Sequence, residues 1–387
     1  MERVENMFRF LTAGESHGQA LTAIVEGIPA GLKIDLEFIN KDLARRQQGY
    51  GRGGRMKIEK DQVEILSGVR FGETLGDPIT LLIKNKDWAN WQEKMSVAGV
   101  EVGPKVTAAR PGHADITGVQ KYDRSDIRDI LERASARETA TRVAVGGVAK
   151  SLLKACGIEV VSHVTNIGGV KITKKIATSE LFDKSKSELN CYDEVAEKQM
   201  METIDNAKKV GDTLGGDFEV VVTGAIKGIG SHIQWDRRLD TKLAAALMSI
   251  QAIKGVEVGE GFEYANLPGS QAHDEMFLDE NKNYVRKTNH AGGIEGGMSN
   301  GEEIVVRAVM KPIPTLMKPL SSVDIATKSE VSANTERSDV CAVSAASVVG
   351  EAMVAIALVE ALLDKFSNDN MTDLSASIKQ YQERIGW

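Results

Sequence analysis

The stretch CAVSAASVVGEAMVAIALVEALL, residues 341–363, decides what kind of fold this chain adopts. It is long and apolar enough to be weighed as a membrane span, but Glu351 and Glu360 stand inside it. A charged side chain at the bilayer centre costs about 2.5–3.5 kcal/mol on the insertion scale. The segment is therefore read as a buried, alanine-rich core helix, and no membrane association is expected. A helix that is apolar on every side must be enclosed by other elements. The remaining segments have to supply those layers.

Working outward, residues 125–156 read as helix in two pieces. The second opens on Ser135-Ala-Arg-Glu138, a capping-box pattern, and its apolar face runs through Ala136, Ala140, Val143, Gly147 and Leu152. Leu36 to about Gln47 and residues 238–253 read as further helices. Strands are expected at 7–12 and 19–27 around the turn GESHG, at 63–71 and 78–85, at 158–169 and 217–226, and over much of 284–312. Residues 173–212 are charged and read as a surface excursion, and a polar C-terminal tail starts near residue 368. Hairpin-like strand pairs mixed with long helices favour an α+β layered architecture over strict βαβ alternation. With no Pro/Ser-rich linker and no fixed-period repeat, residues 1–387 are expected to form a single domain.

Charge and cysteine usage narrow the function classes. The 387 residues carry a formal net charge of −7, which argues against a surface built for nucleic acid. Only 5% of residues are aromatic, too few for a base-stacking platform. Cys156, Cys191 and Cys341 are odd in number and form no CxxC, as in a reduced cytoplasmic protein. The opening MERVENMFRF lacks the apolar core of a secretory signal.

Against that acidic background, RRQQGYGRGGR, residues 45–55, holds four arginines in eleven positions. Arginine binds carboxylate or phosphate bidentately and keeps its charge, so the block suits a small, densely anionic ligand; a solvated charge run is the bland alternative. Gly49, Gly51 and Gly54 spell a GxGxxG, but after a helix and not after a strand, so it is no dinucleotide fingerprint. GESHG (14–18) sets His17 between glycines, and RPGHAD (110–115) pairs Arg110 with His113, a residue type suited to proton transfer near neutral pH. RASARETATR (133–142) places Arg133, Arg137 and Arg142 around a helix start, where backbone N–H groups favour anions. NHAGGIEGGMSNG (289–301), KPIPT (311–315) and ERSD (336–339) add glycine loops and turns. No P-loop, HExxH or Cys/His cluster is present, so neither a P-loop ATPase nor a metal site is expected.

Taken in series, GESHG, RRQQGYGRGGRMKIE, RPGHAD, DIRDILERASARETATRVA, GGIEGGMSNG, KPIPTL and RSDVCAV resemble the chorismate synthase family, in order from residue 14 to residue 350. Ser344 departs from the family's usual proline and Gly147 from its common alanine. The resemblance implies a large single-domain β-α-β sandwich with long core helices, usually a homotetramer. It implies a lyase that converts 5-enolpyruvylshikimate-3-phosphate to chorismate and phosphate by a 1,4-anti elimination, with reduced FMN as cofactor. It places substrate on Arg46, Arg52, Arg55, Arg110 and Arg137. By carry-over, His17 gives a proton to the departing phosphate, His113 protonates or stabilises the reduced flavin, and Asp339 assists the base step. FMN would rest on Arg133, Ala134, Ser135, Gln251, Ala252, Gly296, Lys311, Pro312, Ile313, Pro314, Thr315 and Arg337. Arg46 and Arg52 are also where the family would place NADPH, although substrate binding is the stronger physical reading. With no added reductase domain in view, supply of reduced FMN from outside is favoured over NADPH as direct reductant. A nucleic-acid-binding module and a nucleotide-dependent transferase are the alternatives.

Overall fold

The computed structural model describes residues 8–53, 59–182, 187–334 and 339–386. Two antiparallel sheets dominate. The first has four strands in the order Arg9–Ala13, Ala20–Glu26, Ile79–Lys84, Glu64–Ser67. The second has five, in the order Ile253–Val258, Ile304–Met310, Gly216–Thr223, Glu159–Ile167, Val170–Lys171. Alternation fixes which face of the first sheet turns inward: Leu21, Ala23 and Val25 on one strand and Ile79, Leu81 and Ile83 on its neighbour are buried.

Helices join the two sheets. Thr139–Ala155 packs on the first sheet, on Leu36–Gln47 and on Val343–Leu363, which in turn lies on the second sheet. Every residue of Val343–Leu363 except Glu360 is buried. The helix is apolar and long enough to cross a membrane by composition, yet 94% of its most apolar window is inside the protein. Its one deeply buried carboxylate is accounted for: Glu351, with no exposed surface, accepts from Arg45 at 2.7 and 2.9 Å, Lys150 at 2.8 Å and Ser162 at 2.8 Å.

Small residues set the spacing between the two central helices. A Cβ built on Gly146 would stand 2.3 Å from the Cβ of Ala352 and 2.6 Å from its Cα. Glycine inside a helix ordinarily costs about 0.8–1.0 kcal/mol against alanine. Here the obstructing atoms include backbone, and overpacking of this kind costs about 1–3 kcal/mol. Gly146→Ala is therefore expected to destabilise the protein, read as a lower urea midpoint; an unchanged or higher midpoint would show that the helices can separate freely.

Several expectations are corrected. Within 173–212, read as a surface excursion, Asp193 caps a helix Glu194–Lys209 by accepting from the N–H groups of Val195 and Ala196. Ala196, Met200, Ile204 and Ala207 of that helix are buried, and three of them join the main core. The apolar stripe is narrow, and the surrounding charge hid it. The polar tail is likewise a helix, Met371–Ile385, capped by Asn370, with Leu374 and Ile378 buried. In 125–156 there are three pieces, Arg128–Ala134, a single 3-10 turn at Ala136–Glu138, and Thr139–Ala155. Ser135 accepts from Arg137 N, but the Glu138 side chain is engaged by Thr12, Arg142 and Gln251, so only half of the capping box forms. Ala136, assigned to the apolar face, is exposed. Over 284–312 only Ile304–Met310 joins a large sheet. The helix within 238–253 is Leu239–Met248, with a strand beginning at Ile253.

Candidate active site

The GESHG turn links the first two strands, and Asn85, just past the third strand of that sheet, holds it. The buried Asn85 side chain donates from Nδ2 to the carbonyls of Glu15 at 3.1 Å and Gly18 at 2.7 Å. Its Oδ1 accepts from Arg137 Nε at 3.0 Å. One amide thus ties the histidine turn to an arginine assigned to substrate.

His17 is held on an edge and on a face. Its Nδ1 contacts the two carboxylate oxygens of Glu132 at 2.9 and 3.0 Å, and its backbone N–H donates to the same carboxylate at 2.8 Å. Its ring stacks on Trp91, centroids 4.0 Å apart and planes 28° apart. Arg128 donates to Glu132 at 2.9 Å and lies over Trp91. The preceding Ser16 donates from its hydroxyl to Ser135 Oγ at 3.2 Å.

Arg46 and Arg137 meet on Asp61. Arg137 Nη1 donates to both carboxylate oxygens at 2.7 Å, and Arg46 Nη2 to one of them at 3.0 Å. Both arginines are nearly out of solvent, at 3% and 5% exposure, instead of lying on an open loop. Burial, opposed by Asp61 and reinforced by the Arg137 charge, pulls the Arg46 guanidinium down to about 10. Arg52 is close enough to add to that repulsion. It also pairs with Asp339 at 3.1 Å, and Gly53 N donates to the same carboxylate. Among the described residues Arg46 Nε and Arg137 Nη2 are buried without a hydrogen-bond partner. Such a donor costs about 1–3 kcal/mol, and each is a direction in which a ligand oxygen would be welcome.

The arginine loop rests on the start of the central helix. Gly49, at φ 125°, leaves no room for a side chain, since a Cβ there would come 2.3 Å from Ser344 Oγ. Val340 N donates to Gly51 O at 2.8 Å. Ser344, one of the two departures from the family pattern, is therefore a neighbour of this loop.

A second cluster is built on RPGHAD. Arg110 clasps Asp115 with Nε at 2.9 Å and Nη2 at 3.0 Å, and His113 Nδ1 lies 2.6 Å from the same carboxylate. Burial alone would raise the Asp115 carboxyl; the hydrogen bonds from His113 and Arg110 and the Arg110 charge outweigh it and hold it well below the usual range. Lys311 Nζ donates to Gly112 O, and Lys311 N donates to Ala252 O at 2.9 Å, so KPIPT bridges this loop and residue 252. Ala252 has a left-handed backbone, φ 68°, and the neighbouring Gln251 carries a buried Oε1 without a partner among the described residues. Gln251 donates to Glu138 at 3.1 Å, Thr12 donates to Glu138 at 2.8 Å, and Arg133 donates to Thr12 and Gly14.

The residues assigned to cofactor from Arg133 through Ser135, Gln251, Ala252 and Lys311 thus follow one contact path between the two histidine clusters. Pro312, Ile313, Pro314 and Thr315 continue from Lys311, and Thr213 fixes that run through Ile313 O at 2.8 Å. Ala134 ends the Arg128–Ala134 helix. Gly296 belongs to a separate short hairpin, whose Gly297 carbonyl accepts from Ser231 and Leu239. Arg55 and Arg337 lie outside the described residues. An open cavity of about 550 Å³ lies on the far side of the Leu36–Gln47 helix, lined by Phe38, Lys41, Arg45, Lys150 and Phe182 among others. None of the assigned site residues that are described lines it. Among the described residues no group of three or more His, Cys, Asp or Glu is placed to hold a metal ion.

The sequence reading named the cations and missed their partners: Asp61, Asn85, Trp91, Asp115, Glu132 and Glu138. The available signal was electrostatic, since a buried arginine cluster requires counter-charges. Two of these partners set an acid limit. Glu132 and Glu138 lie below the ordinary 4.5. Burial alone would raise both. The His17 hydrogen bonds and the His17 and Arg128 charges outweigh it for Glu132. For Glu138, Arg142, Gln251 and Thr12 do so. A depressed folded value means stabilisation that is complete above the unfolded value and lost as pH falls through the folded one. Urea stability is expected to fall as pH drops below 4.5, less steeply in Glu138→Gln. Equal slopes in the two proteins would remove Glu138 from this account.

A family model described as chorismate synthase matches residues 8–363. A chorismate synthase of Geobacter metallireducens is 58% identical, with 98% of this chain and 99% of the relative covered. One of Alkaliphilus metalliredigens is also 58% identical, with coverage of 97% and 99%. A solved structure titled "Crystal Structure of Chorismate Synthase" superposes with a TM-score of 0.79 at 45% identity, covering 98% of each chain.

Proposed function

The chain belongs to the chorismate synthase family, and we propose from that premise how its own residues carry out the family's reaction. That reaction is the elimination of phosphate from 5-enolpyruvylshikimate-3-phosphate to give chorismate, a carbon–oxygen lyase step of aromatic amino acid biosynthesis that depends on reduced FMN. The observation that carries the residue assignment is the pair Arg46 and Arg137 on Asp61. It is tied through Asn85 to the His17 turn and offers buried N–H groups that lack a hydrogen-bond partner among the described residues. A substrate with two carboxylates and a phosphate fits such donors. In this reading Arg46, Arg52, Arg55, Arg110 and Arg137 bind and orient it.

Reduced FMN, when bound, supplies the electron density that weakens the bond between the ring carbon and the phosphate oxygen, with no net redox change. Arg133, Ala134, Ser135, Gln251, Ala252, Gly296, Lys311 to Thr315 and Arg337 would hold it. The Gln251 acceptor, without a hydrogen-bond partner among the described residues, suits a ring with N–H donors, and the exposed Arg133 cation suits a phosphate tail. His17 gives a proton to the departing phosphate oxygen. His113 keeps a proton available on the cofactor side, a role supported by the Lys311–Gly112 contact that joins its loop to the cofactor segment. Asp339, oriented by Arg52 and the Gly53 N–H, assists removal of hydrogen from carbon 6. The layering of helices between two sheets supports reading the fold as a β-α-β sandwich in one domain. We also read the working form as a cytoplasmic homotetramer; light scattering measures the assembly directly.

The test is anaerobic turnover of 5-enolpyruvylshikimate-3-phosphate with chemically reduced FMN, following chorismate absorbance and phosphate together. Matched release of both is expected. A parallel arm with NADPH and oxidised FMN is expected to give no product, in keeping with reduced cofactor supplied from outside. Folded protein that binds FMN and releases neither product would sink the assignment.

A further inference from the structure

Glu132 takes part in none of the roles assigned above, yet it holds the Ser16–His17 corner more firmly than any other side chain. Its carboxylate receives His17 Nδ1 and His17 N, its carbonyl receives Ser16 N at 3.1 Å, and Arg128 also donates to the carboxylate, at 2.9 Å. It is 3% exposed. An ionised carboxylate can only accept, so the shared proton sits on Nδ1 of His17. Trp91 covers one face of the ring, and Trp91 is itself held by donating from Nε1 to Asp87 at 3.0 Å. Among the described residues every ring-nitrogen contact of His17 is made by Nδ1, which leaves Nε2 as the nitrogen open to a substrate.

We propose that Glu132 is a positioning residue that acts through His17: it keeps the proton of the neutral imidazole on Nδ1, aims Nε2 at the substrate, and stabilises the imidazolium before it gives up its proton. The inference rests on the reading of His17 as proton donor to the leaving group. In the step, the bond between carbon and the phosphate oxygen breaks and its electron pair leaves with that oxygen. The oxygen takes the proton from Nε2. Nδ1–H stays in place on Glu132, and solvent later returns a proton to Nε2. The arrangement works as the third member of a triad does, by fixing tautomer and orientation without itself taking the proton.

Two readouts test this. The first is the 15N spectrum of the imidazoles in the intact wild-type enzyme at alkaline pH, with the His17 signals identified by their loss in His17→Ala. Neutral His17 is expected to carry its proton on Nδ1, the less common tautomer of free imidazole side chains, and to move toward Nε2–H in Glu132→Gln. An Nε2–H tautomer in the wild-type enzyme overturns the proposal, whether or not the variant folds. The second is a double-mutant cycle. Glu132→Gln is expected to lower kcat about 10²-fold, the lower end of the range for acid–base groups, with little change in KM. Placed in the His17→Ala background it should cost less than about twofold, because residues that act as a unit are not additive. Similar losses in both backgrounds would assign Glu132 a merely structural role and overturn the proposal. If His17→Ala itself turned over normally, the proton-donor reading would fail on its own, while the tautomer measurement would still judge the positioning.

Discussion

His17→Ala is expected to reduce turnover by about 10²–10⁴ while leaving the fold intact. Both halves of that statement follow from the contacts. The proton on Nε2 disappears, and the other side chain that touches both Glu132 and Trp91, Arg128, is a guanidinium that keeps its protons. The structural cost is small because the backbone N–H of residue 17 still donates to Glu132, and Arg128 still neutralises that carboxylate, so no buried charge is orphaned. What is lost is the Nδ1 contact with Glu132 and the stacking on Trp91, the latter worth about 0.5–1.5 kcal/mol beyond area. Anaerobic turnover with reduced FMN and a thermal melt on the same preparation measure the two halves. Normal turnover would move proton donation to another group.

Glu351→Ala is expected to be among the most damaging single substitutions for stability, at about 3–5 kcal/mol. Arg45 and Lys150 both lean on this carboxylate, and among the described residues Asp42 is the one carboxylate left to them once it is gone. Burial by itself disfavours the charge on Lys150; the Asp42 and Glu351 charges outweigh that and raise its affinity for the proton. Ser162 also loses the acceptor of its hydroxyl. Glu351→Gln keeps the shape and one acceptor oxygen and should lie between wild type and alanine. The measurement is the urea unfolding midpoint with its slope. A loss below about 1 kcal/mol, the scale of an exposed pair, would mean that solvent reaches Arg45 and Lys150 when the carboxylate is removed.

These two predictions mark how far the sequence could be read. The Leu36–Gln47 helix and the hairpin around GESHG are legible because hydrophobic periodicity is local, and the helix at 343–363 because it is apolar on every side. The segments 194–209 and 371–385 were missed because their buried positions are few, three or four residues apart among charges. Arg45 and Arg46 show the limit at the site. Neighbours in a helix point about 100° apart, and here Arg45 turns to Glu351 in the core while Arg46 turns to Asp61 beside His17's turn. A block of arginines in a sequence does not reveal that division. The partners lie far along the chain, 306 residues away for Arg45 and Glu351 and 115 for His17 and Glu132, so only the assembled fold discloses them.

The central helix has a consequence for how this protein is made. Residues 343–363 pack between Thr139–Ala155 and the second sheet, yet they follow every strand of both sheets in chain order. A ribosome adds about 5–20 residues per second, so on the order of 20–70 s passes before this helix emerges. Until then one side of Thr139–Ala155 and the inner face of the second sheet have no partner, and Arg45 and Lys150 have no Glu351. The nascent chain therefore stays an unfinished, sticky intermediate until this helix emerges, and a message truncated before codon 343 yields a client for chaperones and proteases in place of a smaller enzyme.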